Sequence, residues 1–144
     1  MTIATVALMV IGYQQAPFVE IWNPPPFLTH LNNLLMVIAV FFFISGRLPS
    51  VIRNKVRHGQ FTAVNIWAVA HLLVNGDLAS IILFGGLLAW AVVALIGTNK
   101  RDGKPPLDHP ATTQGLVVHI ALTLIVTSVV IWLHSMAGVW PMPG

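Results

Sequence analysis

Long apolar stretches alternate with short polar ones along the chain, and this pattern predicts five helices. The predicted helices cover residues 1–13, 27–46, 61–75, 78–98 and 114–137. The second, fourth and fifth have about 20 residues or more, enough to cross a hydrocarbon core of roughly 30 Å. The first reaches only about 20 Å, so we expect a short, tilted or incomplete helix. The third reaches about 22 Å, so we expect the turn after it to lie at or slightly below the far interface. The predicted fold class is all-α, a polytopic transmembrane helical bundle with about five membrane segments in one domain, residues 1–144.

Two polar breaks carry specific turn signals. The prolines that follow Trp22 and Asn23 exclude a helix, because consecutive prolines lack N–H donors and keep the preceding residue out of the α region. The Asn75-Gly76-Asp77 sequence ends the third predicted helix. Asp77, with Ser80 three positions on, is typical of an N-cap of the next helix. Acid–base chemistry between Asp77 and His71 is the alternative interpretation.

The composition is that of an integral membrane protein. Hydrophobic residues make up 56% of the 144 and charged residues 8%, whereas a soluble domain has roughly 25% charged residues. We therefore expect the lipid bilayer to be the principal surrounding of the chain. Because cysteine is absent, disulfides, thiolate metal sites and cysteine-based catalysis are excluded.

The seven basic residues are confined to two polar loops, four in residues 47–60 and three in residues 99–113. This distribution between apolar segments favours a topology signal over a nucleic-acid surface, so we expect no nucleic-acid partner. If all five segments cross, both loops lie on the cytoplasmic side. The N-terminus is then predicted to be cytoplasmic and the C-terminus to lie outside.

Histidine supplies the main candidate chemistry, with six residues in 144. Trp67, His71 and Asn75 follow one another at i, i+4 spacing on one face of the third predicted helix. An ionisable side chain in an apolar span is costly without a partner, which makes His71 the leading site candidate. The alternative is that His71 only forms a hydrogen bond to a neighbouring helix.

Imidazole is a common ligand of haem iron, and helical bundles place such sites between facing helices. Two of four histidines could therefore hold a haem, and their spacing in the sequence does not determine which two. The four are His30, His71, His119 and His134. His58 and His109 lie in the polar loops and are predicted to be solvated. Gly85 with Ala89, and Thr123 with Thr127, are predicted to pack or to form hydrogen bonds between helices.

Residues 57–101 resemble the NnrU family of bacterial membrane proteins. The resemblance rests on Arg57-His58-Gly59-Gln60 and on the string Ala-His-Leu-Leu-Val-Asn-Gly-Asp at residues 70–77. Upstream, the Trp-Asn-Pro-Pro sequence at residues 22–25 and His30 also look like this family, giving a cover of about residues 10–101. The family usually begins with another helix that bears its own His, and here the chain opens inside what looks like the second helix. A missing first helix leaves two alternatives: the bundle lacks any site built on that helix, or a partner chain completes it.

The resemblance implies a polytopic inner-membrane protein with a link to nitrite and nitric oxide reduction in denitrifying bacteria. A related branch is similar to plant 15-cis-zeta-carotene isomerase, which carries haem b on His ligands. By that resemblance His71 and His30 are the leading haem-iron ligands and His58 is a third cofactor-binding candidate, while no catalytic residue is assigned. We therefore expect either a haem b protein with redox or isomerase-type chemistry, or a cofactor-free accessory subunit that docks on partner membrane subunits of a respiratory or photosynthetic complex.

Overall fold

The computed structural model describes residues 3–46, 48, 52, 55–102 and 112–142 and contains five α-helices. In chain order they are α1 (Ile3–Gln15), α2 (Leu28–Ser45), α3 (Gly59–Val74), α4 (Leu78–Asp102) and α5 (Thr113–Met136). The described residues form no β-strand beyond one isolated bridge between Glu20 and Asp77. The predicted all-α class is confirmed. The largest boundary difference is at α4, which continues through Lys100 and Arg101, whose charges favour a helix C-terminus.

Three of the five helices, α2, α4 and α5, are long and apolar enough to cross a membrane. With 13 and 16 residues, α1 and α3 are shorter, as the sequence predicted. Many large apolar side chains point away from the bundle, among them Ile82, 66% exposed, and Trp132, 58% exposed. In a membrane protein such side chains contact lipid, so their exposure costs nothing there.

The core is built around α3, which packs against both α2 and α4, while α5 packs on α2. The contact between α2 and α3 is closest at Gly59, where an added Cβ would overlap the Ser45 hydroxyl and the Phe42 carbonyl. Ser45 is fully buried and donates a hydrogen bond to that carbonyl at 2.7 Å. A glycine is therefore required where the two helices meet.

The segment between α1 and α2 is bound to the turn between α3 and α4. The backbone N–H groups of Ile21 and Trp22 donate to the Gly76 carbonyl at 2.9 and 3.1 Å, and Leu78 N–H donates to the Val19 carbonyl at 2.9 Å. A Cβ on Gly76 would overlap the Trp22 carbonyl. The Pro-rich segment thus closes one end of the bundle, next to the ends of α1 and α3.

Two packing predictions were wrong. A Cβ on Gly85 would meet no atom within 4 Å, so α4 does not use Gly85 for a close helix contact. Thr123 donates its hydroxyl hydrogen bond to the His119 carbonyl of its own helix at 2.8 Å, not to another helix. A threonine hydroxyl in a helix reaches the carbonyl one turn before it without any partner helix.

Candidate functional site

A cavity of about 530 Å³ opens at the end of the bundle where α2 begins and where α3 and α5 end. We call this the cavity end. Helices α2, α3 and α5 form most of its wall, Tyr13 of α1 and Phe84 of α4 contribute single side chains, and residues 139–142 close over it. Two of the six histidines, His71 and His134, line this cavity.

His71 lies in the last turn of α3 with its orientation fixed. Its Nδ1 is 2.9 Å from the Trp67 carbonyl oxygen. A carbonyl only accepts, so Nδ1 carries the hydrogen of this bond and Nε2 of the neutral ring keeps its lone pair. The ring stacks on Phe84 at 4.5 Å between centroids and lies 4.8 Å from the Trp67 ring.

His134 repeats this arrangement in the last turn of α5. Its Nδ1 is 2.8 Å from the Val130 carbonyl oxygen, again one turn earlier in its own helix. The same argument leaves Nε2 of the neutral ring as the lone-pair nitrogen. Two imidazoles on different helices, each oriented through Nδ1, therefore line one cavity.

His119 forms the kind of hydrogen bond to a neighbouring helix that the sequence allowed as the alternative role of His71. It is fully buried, its Nε2 lies 2.8 Å from the Phe41 carbonyl of α2, and its ring stacks on Phe41 at 4.2 Å. His119 is not among the residues that line the cavity. It joins α5 to α2 as a packing residue.

The other predicted ligands, His30 and His58, do not line the cavity. His30 is exposed on α2 and does not line the cavity. His58 precedes α3 at the opposite end of the bundle, 4.0 Å from the Asp102 carboxylate. The structure thus does not place His30 or His58 on the cavity wall with His71, and their assignment as haem ligands stays a prediction. His109 lies outside the described residues.

Asp77 is an N-cap of α4, as predicted. Its carboxylate accepts hydrogen bonds from the Ser80 N–H at 2.9 Å and from the Ser80 hydroxyl at 2.5 Å. The hydroxyl hydrogen of Ser80 is thereby used, so the Tyr13 hydroxyl, 2.9 Å away, donates to Ser80. Desolvation acts to raise the pKa of Asp77, but the hydrogen bonds from Ser80 outweigh it and hold the pKa below its ordinary value. Both carboxylate oxygens are engaged by Ser80, which favours capping over acid–base chemistry with His71.

Within the described part of the chain, the cavity also has two buried polar atoms without a hydrogen-bond partner, Asn32 Oδ1 and Thr127 Oγ1. Asn32 is 8% exposed, and its Nδ2 donates to Asn33 Oδ1 at 3.1 Å. Neither residue was a site candidate from the sequence. The available signal was the spacing of Thr29, Asn32 and Asn33, which places polar groups on one face of an otherwise apolar helix.

Among the described residues, no three His, Asp or Glu side chains come together as ligands of a protein-only metal site. Two imidazoles are nevertheless sufficient for haem iron, because the porphyrin supplies the other four nitrogen ligands. The arrangement therefore offers two imidazoles, each with its Nδ1 bound to a backbone carbonyl, on the wall of one largely apolar cavity.

The fold and the cavity define a membrane protein of the helical-bundle class with an imidazole-lined site at one end. The NnrU protein family model matches residues 1–141, nearly the whole chain. The protein belongs to the NnrU family, which confirms the resemblance and extends it beyond residues 10–101. No curated protein sequence and no solved structure matches the chain, so the similarity to 15-cis-zeta-carotene isomerase is not shown.

Proposed function

We propose that this NnrU family protein binds haem b in the membrane, with the iron between His71 and His134. One observation carries the proposal: two imidazoles from different helices line the same cavity of about 530 Å³, each with its Nδ1 engaged by a backbone carbonyl. Histidines that ligate metals almost always donate their other N–H in this way, which fixes the tautomer and increases ligand basicity.

The rest of the cavity also suits a porphyrin. Its volume falls within the range of roughly 300–1,000 Å³ that is usual for ligand and cofactor sites. Its deeper wall is apolar, formed by Met36, Val37, Val40, Val130 and Ile131. These side chains would exclude water from a bound macrocycle, and Phe84 would hold the His71 ring in place.

When bound, haem b would supply one-electron redox chemistry, and His71 and His134 would hold it. The residues of this chain provide the ligand orientation and a dry environment. We therefore propose electron transfer as the primary activity. The links to nitrite and nitric oxide metabolism and to isomerase-type chemistry stay predictions from the family resemblance.

We further propose that the protein lies in the bacterial inner membrane with the cavity end toward the periplasm. The described basic residues support this orientation, because Lys55, Arg57, Lys100 and Arg101 all lie near the start of α3 or the end of α4, away from the cavity end. By the positive-inside rule that end faces the cytoplasm.

The test is haem content per chain after haem-sufficient expression, measured on the wild type and on alanine variants of His71, His134 and His30. We expect a stoichiometric Soret band in the wild type, its loss in His71→Ala and His134→Ala, and retention in His30→Ala. Helix content and elution volume monitor folding. A colourless but folded wild type overturns the proposal. Loss in His30→Ala with retention in His134→Ala assigns the second ligand to His30 instead.

One observation favours a second candidate, the cofactor-free accessory subunit. Helix α1 has no buried residue, and among the described helices it contacts only α4. A partner subunit could cover such an apolar helix. This candidate predicts co-purification with partner subunits under mild detergent, unchanged by His71→Ala, and no colour.

A further inference from the structure

The polar groups of the cavity are not spread evenly around its wall. Thr29, Asn32, Asn33 and Asn75 lie within the first turns of α2 or just after α3, all at the cavity end. Trp140 lies at the same end. Toward the middle of the bundle the wall is apolar apart from the Thr127 hydroxyl. A ligand that matches this wall has polar groups at one edge and a hydrocarbon surface at the other.

Two adjacent amides provide unused hydrogen-bonding capacity at the polar end. Asn32 Oδ1 is buried and without a partner. Among the described residues, Asn33 Nδ2 has only the Met142 thioether as a partner, 3.8 Å away, and a thioether is a weak acceptor. Leaving a buried carbonyl oxygen unpaired is costly, so a donor from a ligand would satisfy it.

We propose that Asn32 and Asn33 form the propionate site of the cavity, which rests on the proposed haem function. A propionic acid side chain matches the two amides: its protonated form donates an O–H to Asn32 Oδ1, and its carbonyl oxygen accepts from Asn33 Nδ2. Burial favours the protonated form. Asn32 and Asn33 are then positioning residues, because they orient the macrocycle without touching the iron.

The Thr127 hydroxyl is a weaker candidate for the same edge. Apart from His134, seven residues later, it is the one polar group that α5 contributes to the cavity wall. Two propionates at that depth would meet Val130 and Val40 in place of amides. The carboxyl edge of the haem therefore lies at the cavity end, and its vinyl edge lies toward the middle of the bundle.

The experiment compares two probes, haem b and haem b dimethyl ester, titrated into the full-length chain in detergent and followed by the Soret band. The ester keeps the macrocycle and the iron but cannot donate an O–H. We expect the wild type to bind haem b about tenfold more tightly than the ester, the effect of about one hydrogen bond. Asn32→Leu should reduce this ratio to about twofold or less, while ester affinity changes little.

Asn65→Leu is the matched control. Asn65 Oδ1 is also buried and unpaired, but Asn65 does not line the cavity, so the preference for haem b should remain. Equal wild-type affinity for the two probes overturns the inference while leaving the haem function standing. An equal loss of affinity for haem b and for the ester in Asn32→Leu also overturns the inference and leaves the haem function standing. If neither probe binds the folded wild type, the proposed function fails and this inference with it. If Asn32→Leu does not fold, the test uses Asn33→Ala instead. This variant should also lower the ratio of haem b affinity to ester affinity below the wild-type ratio, and an unchanged ratio would overturn the inference.

Discussion

At the scale of single residues, the histidines of this chain divide by what each ring nitrogen contacts. His71 and His134 both line the cavity and use Nδ1 for a carbonyl of their own helix, which leaves Nε2 as the lone-pair nitrogen. His119 uses Nε2 for a carbonyl of another helix and is fully buried. Histidine therefore lines the cavity at two positions and joins two helices at a third, and the difference is whether a ring nitrogen contacts a carbonyl of another helix.

The first prediction separates these roles. His119→Leu removes the hydrogen bond and the ring stacking between α5 and α2, so we expect it to lower the free energy of unfolding by about 1 kcal/mol. Because His119 does not line the cavity, haem content per chain should be unchanged. Thermal unfolding and the Soret absorbance measure the two effects. Loss of haem from a folded His119→Leu protein would contradict this division.

The second prediction concerns the cap of α4. Asp77→Ala removes the acceptor of two hydrogen bonds from Ser80, and we expect a loss of about 1 kcal/mol of stability at pH 7. Because folding lowers the pKa of Asp77, its charge-dependent contribution is present above the ordinary carboxyl pKa and is lost as the pH falls through the lowered value. The difference in melting temperature between wild type and Asp77→Ala should therefore shrink in acid.

Asp77→Asn is the control for that prediction, since asparagine caps helices about as well as aspartate but does not titrate. It should retain much of the stability at pH 7 and show less change with pH. A difference between wild type and Asp77→Ala that grows as the pH falls would contradict the assigned direction.

At the scale of helices, some glycines lie where two helix backbones approach closely, and others do not. Gly59 has α2 directly against it, whereas Gly85 has open space. The sequence spacing favoured Gly85, because small residues four apart are typical of packed membrane helices. Spacing alone does not reveal which face of α4 meets another helix.

The third prediction follows from this contrast. Gly59→Ala should destabilise the protein by about 1–3 kcal/mol, because its Cβ would overlap backbone and hydroxyl atoms of α2. Gly85→Ala should be neutral or stabilising by about 0.5–1 kcal/mol, since alanine favours the helix and nothing obstructs it. Thermal unfolding in one detergent compares the pair. A larger loss for Gly85→Ala than for Gly59→Ala would refute the packing of α2 on α3.

At the scale of the whole molecule, hydropathy predicted most of the fold. The five helices, the two short ones and the Asp77 cap follow from local signals of length, apolar runs and capping residues. That His71 and His134 line the same cavity could not be predicted, because it depends on which faces α3 and α5 turn toward that cavity. The contact of the Pro-rich segment with Gly76 depends in the same way on tertiary approach.

The fourth prediction tests the orientation of the bundle. The chain has no cysteine, so a maleimide can react only with a cysteine that is introduced at a chosen position. In intact cells, Glu20→Cys should react with a membrane-impermeant maleimide, because Glu20 is exposed beside the cavity end. Lys100→Cys, exposed near the other end, should react only after permeabilisation. The reverse pattern would invert the proposed topology.

The most direct test of the haem site is the electron paramagnetic resonance spectrum of the oxidised wild type beside His134→Ala. We expect a low-spin ferric signal typical of two imidazole ligands in the wild type. Removal of His134 should convert it to a high-spin signal or cause loss of haem. A high-spin wild type, or a low-spin signal that His134→Ala leaves unchanged, would contradict ligation by His71 and His134.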